Sequence, residues 1–310
     1  MTTPHPIAIV GPTAVGKSAV AEQVAYRIDG EIIDADSMQV YRGMDIGTAK
    51  TAPADRLVPH HCLDLTEPGT PYSAALFQRD ARAAIDSVAA RGHIPVIVGG
   101  TGLYVRAALD EFSFPEGERT NETRRLLEER AERIGSQALH AELAALDPAS
   151  AALVHPNNVR RTIRALEMRS SGTSYAQQAS GFTRREAHYP GARLIGLTME
   201  RSRLYARIDA RVDAMLAEGL LGEVARLLEA GYRHALTATQ AIGYKELVPV
   251  LERRSTLEAA ADEIKRASRR YAKRQLTWFR ADPRVIWVDV TEMSAEGATR
   301  AVLDLVESAE

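Results

Sequence analysis

The chain has 310 residues, 45% of them hydrophobic and 26% charged, which fits an ordinary globular protein large enough for a substantial core. A formal charge of -2 excludes a protein that binds polyanions over its whole surface, so any nucleic-acid contact must come from local basic clusters. The single Cys62 excludes a disulfide framework, and the absence of a leader pattern or a long apolar run leads to the expectation of a cytoplasmic protein with no membrane segment.

In chain order, Ile7 to Val10 reads as a short buried strand. It runs into "GPTAVGKS", Gly11 to Ser18, and then into a helix from Lys17 to Ile28 with Val20, Val24 and Ile28 at four-residue spacing. Glu31 to Ser37 reads as a second strand, Ser73 to Ala90 as an amphipathic helix, and Ile94 to Gly100 as a strand apolar on both faces. Strand alternating with helix predicts an α/β parallel sheet flanked by helices.

The pattern then changes. Phe112 to Asn121 reads as a loop, and from there to about Pro190 the periodicity is helical, with Leu126, Leu127, Ala131 and Ile134 on one apolar face. A helix inside His155 to Gly172 starts after Pro-Asn and stops at Gly. Arg193 to Met199 resumes a strand. Long helices follow over Leu204 to Leu228 and Leu257 to Phe279, and Arg284 to Val290 is a last strand. The expected organisation is a sheet core over 1–118, an all-helical insertion over 119–192, and the rest of the core over 193–310.

Gly11, Pro12, Thr13, Ala14, Val15, Gly16, Lys17 and Ser18 form the phosphate-cradling pattern, in which backbone N–H groups surround phosphate oxygens while the Lys and the hydroxyl reach phosphate and Mg²⁺. An NTPase would also present an apolar strand ending in a metal-holding Asp. The strand Ile94 to Gly100 ends in glycines instead, and Val288-Asp289 reads as an ordinary strand end. The acids nearest the loop are Asp34 and Asp36, at the end of the second strand, where open α/β sheets bind ligands. Asp36 can serve as a base or metal partner, or can cap its own turn; spacing leaves both open.

Arg203, Arg207 and Arg211 share one helix face. From Ile264 to Arg280 seven basic residues occur with no acid, and Lys265, Arg269 and Lys273 alternate with Arg266, Arg270 and Arg274 as one positive stripe suited to phosphates. Tyr271, Trp278 and Phe279 within it read as core anchors. A second basic cluster is Arg160, Arg161 and Arg164.

Several blocks together resemble the tRNA dimethylallyltransferases: "GPTAVGKS", "DADSMQVYRGMDIGTAK", "PHHCLDL", "YSAALF", "GGTGLY", "HPNNVRRTIRALE", "AIGYKE" and "KRQLTWFR". The departures, at Val15, Thr51 and Cys62, touch no residue assigned to chemistry. The resemblance implies transfer of a dimethylallyl group from dimethylallyl diphosphate to N6 of the adenosine immediately 3′ of the anticodon, with release of diphosphate.

It also implies roles. The loop and Lys17 hold the diphosphate with Mg²⁺ at Ser18 and Thr13. Arg211 is an added cation, with Arg207 left open, Asp36 is the base on N6, and Thr101 is beside it. Ser37, Met38 and Gln39 would meet the target base and its neighbours. Thr123, Arg124, Arg160, Arg161, Thr162, Ile163 and Arg164 of the insertion would grip the anticodon stem-loop. Gln240, Gly243, Tyr244, Lys245, Lys273, Arg274, Gln275, Trp278 and Arg280 would line its channel, with the two basic lobes acting as a clamp. The expected partners are tRNA and the isoprenoid donor, the expected state a monomer. The rival readings are a small-molecule or nucleoside kinase and an RNA-binding NTPase switch.

Overall fold

The computed structural model describes residues 4–112, 114, 122–183, 186–232 and 238–308. Most of the loop expected over Phe112 to Asn121, and the expected boundary at 118/119, lie outside these residues. The chain divides into two compact units, one made of Met1–Leu109 with Ala187–Glu310 and the other of Asp110–Glu186.

The larger unit is built on a parallel sheet of β1 (Ile7–Val10), β2 (Gly30–Asp34), β3 (His60–His61), β4 (Ile94–Gly99), β5 (Arg193–Thr198) and β6 (Val285–Asp289), in the order β3-β2-β4-β1-β5-β6. The inner strands are apolar runs because helices cover both of their faces. In β1 all four residues are buried, with Ile7 opposite Val96 of β4 and Arg193 of β5. Between β4 and β5, β1 lies where the sheet order changes direction. The loop after β1, the end of β2 and the end of β4 therefore meet at one edge, as the switch-point rule expects.

Helix α1 (Lys17–Arg27) follows the loop, α2 (Ala74–Ala90) is capped by the Ser73 side chain, and α3 (Gly102–Leu109) follows β4. The expected boundary at 192 is displaced. Ala187 to Ala192 belongs with the sheet unit, where the His188 N–H donates to Leu109 O and Tyr189 Oη to Asp86.

The smaller unit contains α4 (Glu122–Leu146), kinked at Gly135, then α5 (Pro148–Leu153), α6 (Val159–Ser170) and α7 (Tyr175–Thr183). Its core is formed by Leu139, Leu143, Ala151, Ile163, Ala165 and Leu166, with Leu127, Ala131 and Ile134 packed against it. Leu126, expected on the same face, is instead 51% exposed. Asn158 caps α6 through Arg161 N–H, as Ser/Thr/Asp/Asn residues do at such ends.

Returning to the larger unit, α8 (Arg201–Ala217), α9 (Leu220–Glu229), α10 (Val248–Leu251), α11 (Leu257–Arg280) and α12 (Ala295–Glu307) complete it. The single helix expected from Leu204 to Leu228 is two, because Gly219 takes φ 103° and ends α8 in a left-handed turn. Helix α12 was not anticipated, although Ala298, Val302 and Val306 recur every four residues and pack in the core with Val20 and Val24 of α1. Among the described residues no helix is long and apolar enough to cross a membrane.

Candidate active site

At the centre of the carboxyl edge of the sheet, the loop Gly11 to Ser18 takes left-handed turns at Ala14 (φ 64°) and Gly16 (φ 105°). Helix α1 starts at Lys17 with Gly16 at its cap, which offers no side chain to the first N–H groups. Those groups and the helix dipole thus remain for an anion. Gly11, Pro12 and Val15 are buried and line the loop from behind, whereas Ser18 is exposed at its mouth.

The loop is braced from α11. Gln275 Oε1 accepts from Thr13 N–H at 2.8 Å, and its Nε2 donates to Gly100 O at 2.9 Å. Gln275, expected on the RNA channel, is 5% exposed, since it lies on the inner face of α11 one turn beyond Tyr271. It holds the cradle.

Lys17 Nζ donates to Pro12 O at 2.6 Å. Loss of water around it, and repulsion from Arg211, bring its pKa down from 10.5 to about 7, against the attraction of Asp36. Burial likewise lowers the pKa of Arg211, again opposed by Asp36. Two cations held together at a cost in hydration are what a bound diphosphate would relieve. Arg207 joins them: its guanidinium nitrogen is 3.6 Å from the point a Cβ on Gly16 would occupy. Arg203, on the same helical stripe, turns away to Glu292 at 2.8 Å and Thr291 O at 2.7 Å.

Asp36 follows the end of β2. Its Oδ1 accepts from Met38 N–H at 2.8 Å, so it does cap its own turn, while no hydrogen bond engages Oδ2 among the described residues. Thr101 Oγ1 accepts from Ser37 N–H at 3.1 Å and ties β4 to the same turn. Burial and the charge of Asp36 push the Tyr271 hydroxyl up to about 12, against the opposing pull of nearby Thr101, Arg274 and Gln275. Expected as a core anchor, Tyr271 instead lines a cavity of about 430 Å³ with Thr13, Asp36 and Arg211, closed by the apolar Ile208, Val212 and Met215. Gln39 spends its amide nitrogen on Thr48 O at 3.0 Å.

Beneath this edge, His60 bridges Asp34 (2.8 Å) and Glu22. Burial raises the Asp34 pKa despite that contact. Asp34 opens into a small recess of about 60 Å³ with Lys17, Ser18 and Asp36. Ser18, Thr13 and these carboxylates form a hard oxygen set suited to Mg²⁺ shared with substrate phosphates. No cluster of three metal-ligating His, Cys, Asp or Glu occurs among the described residues. Asp289 ends β6, two strands from β1 along the carboxyl edge, and accepts from Thr291 N–H at 2.9 Å, an ordinary strand end.

Other expected positions are corrected. Four of the six cations of the stripe on α11 are paired: Arg269 with Asp209 at 2.6 Å, Lys265 with Asp213 at 2.6 Å, and Arg266 and Arg270 with Glu263. The acids come from α8 and from just before the acid-free span. Lys273, Arg274 and Arg280 remain exposed, and Trp278 is 42% exposed against Gly102. Gln240, Gly243, Tyr244 and Lys245 do line the cavity with Asp36 and Arg211; Gln240 and Lys245 are exposed, whereas Gly243 and Tyr244 are buried and Tyr244 donates to Glu223 at 2.6 Å.

In the insertion, Thr162 and Ile163 are buried and Thr123 is half-buried. Arg124 pairs with Glu167 at 3.2 Å and with Glu128, and Arg164 approaches Glu167 at 3.7 Å. Arg160 and Arg161 are exposed. Glu223 and Tyr271 are the residues sequence reasoning passed over; Gly219 before Glu223, and Tyr271 one turn before Gln275, were the available signals.

The sequence pattern of IPP transferase matches residues 39–282. A tRNA dimethylallyltransferase of Geobacillus thermodenitrificans is 51% identical over 288 residues, 92% of this chain and 90% of that one. The solved structure of a tRNA delta(2)-isopentenylpyrophosphate transferase from Staphylococcus epidermidis is 39% identical, with TM-score 0.72, over 99% of this chain and all of that one. A eukaryotic dimethylallyltransferase, solved acting on tRNA, is 28% identical with TM-score 0.81 over 98% of this chain and 80% of that one. By the family match over residues 39–282 and by likenesses that cover most of the chain, the chain belongs to the IPP transferase family.

Proposed function

We propose that this chain is a tRNA dimethylallyltransferase that moves a dimethylallyl group from its diphosphate to N6 of the adenosine 3′ of the anticodon. The observation that carries the reading is that one cavity is lined both by the anion cradle, through Thr13 and Arg211, and by the carboxylate of Asp36. A leaving group and a nucleophile can meet there.

In this mechanism the loop N–H groups, Lys17 and Arg211 take the diphosphate, and Arg207 screens its outer oxygens. The allylic carbon–oxygen bond breaks, its electron pair leaves with the diphosphate, and the lone pair of N6 forms the new bond to carbon. Asp36 Oδ2 takes the N6 proton, without which that nitrogen's lone pair stays delocalised into the ring. Thr101 fixes the turn that carries Asp36 by accepting from Ser37 N–H, and Tyr271 lines the cavity with Asp36. Ser18 and Thr13 would hold Mg²⁺, which when bound would supply further neutralisation of the leaving charge. No water need be aimed at phosphorus, so the lack of a strand-end Asp after β4 suits the reaction.

The target adenine must leave its stack to enter the cavity. Lys273, Arg274 and Arg280 on α11, and Arg160 and Arg161 on the insertion, contact RNA phosphates in this reading, which takes the enzyme as a cytoplasmic monomer. The test is incubation with unmodified tRNA and labelled dimethylallyl diphosphate plus Mg²⁺, without nucleotide. Label in the RNA supports the proposal; phosphate transfer from a nucleotide, with no label in RNA, overturns it.

A further inference from the structure

Glu223 lies in the first turn of α9, directly after the break at Gly219, and is 2% exposed. Both of its oxygens act only as acceptors. Oε2 takes Asp45 N–H (3.1 Å) and Ile46 N–H (2.8 Å), while Oε1 takes Gly47 N–H (3.2 Å) and the Tyr244 hydroxyl (2.6 Å). Three consecutive backbone amides of a loop are thus gathered on one carboxylate that comes from a distant helix. Gly47 lets the loop approach so closely, because a Cβ there would be 2.4 Å from Tyr244 Cε2. The next residue of the loop presents Thr48 O, which accepts from Arg211 Nη2 at 3.3 Å and from Gln39 Nε2 at 3.0 Å.

We infer that Glu223 is a positioning residue: it locks the Asp45–Thr48 loop so that Thr48 O aims the Arg211 guanidinium at the departing diphosphate. This rests on the assignment of Arg211 made above. A glutamine at 223 would turn a donor toward N–H groups, leaving at least one buried amide unpaired and the loop displaced.

The test is a double-mutant cycle on the full chain, read as kcat for transfer, tRNA Kd and melting temperature. Arg211→Ala comes first: an unchanged kcat sinks the assignment of Arg211 itself, and with it this inference. With that loss established, Glu223→Gln should lower kcat by about tenfold or more through a misplaced group while tRNA Kd holds. In the Arg211→Ala background it should cost less than about twofold, since what it disturbs is already gone. Gly47→Ala, which keeps the Glu223 side chain but drives the same loop off the Tyr244 ring, should repeat this pattern, and its melting temperature guards against a variant that fails to fold. Equal losses in both backgrounds, no loss in either, or a parallel collapse of tRNA Kd and melting temperature, would overturn the proposal.

Discussion

Two loops face the same cavity and are held in opposite ways. The phosphate loop between β1 and α1 takes its shape mostly from its own residues, through left-handed turns at Ala14 and Gly16, Lys17 on Pro12 O and the open end of the helix that follows, with Gln275 of α11 as a distant brace on Thr13. The Asp45–Lys50 loop is shaped by partners elsewhere, through Glu223, Tyr244, Arg211 and, for Lys50, Asp64 at 2.6 Å. The contrast teaches that an anion site can be encoded locally while the cation completing it is placed by a long-range scaffold.

The hardest blow to the local half is Lys17→Ala. Removing one donor aimed at developing charge typically costs a hundredfold to a thousandfold, and kcat should fall by about a thousandfold in the transfer assay. Asp36→Ala should follow with about a hundredfold loss of kcat and near-normal tRNA affinity; equal loss of both would make Asp36 a binding residue. The distant half is broken at Glu223, with the smaller losses given above.

A pH experiment sharpens the contrast further. Lys17 has a folded pKa of about 7 against 10.5 for the ordinary group. Between these values the unfolded chain holds a proton that the folded chain has lost, so the Lys17 contribution makes stability rise with pH across that window and leaves the full cost of burial below about 7. Melting temperatures over the window should lose this upward component in Lys17→Met. Binding of the diphosphate stabilises the ammonium, so titration calorimetry at about pH 8 should show proton uptake that the variant lacks.

The smallest effects separate free from paired cations on α11. Lys273→Ala and Arg280→Ala should each reduce the slope of log Kd for tRNA against log salt by about one. Arg269→Ala, whose charge is spent on Asp209, should leave that slope unchanged in filter binding.

The fold was legible wherever a pattern is local. Apolar runs at Ile7 to Val10 and Ile94 to Gly99 become the strands buried on both faces, and Ser73 and Asn158 cap the helices they precede. Reading Leu204 to Leu228 as one helix failed because the apolar period runs through Gly219, whose left-handed turn only a glycine takes without strain. That miss hid Glu223. The site was legible at the cradle, Asp36 and Thr101, which the fold brings to one edge, while no pattern along the chain could show that Tyr244 reaches the cavity as a buried donor to Glu223 or that Gln275 spends its amide on the cradle.

What the amino-acid order determined by itself was the phosphate cradle and the parallel sheet beneath it, because a turn sequence and an apolar run act on residues adjacent in the chain. What tertiary structure alone decided was which charges remain free to work. Arg269 and Asp209 are 60 positions apart, and Glu223 reaches amides 176 to 178 positions away. A charge is neutralised or aimed by whatever folding brings within hydrogen-bond distance, and no spacing along one helix carries that information.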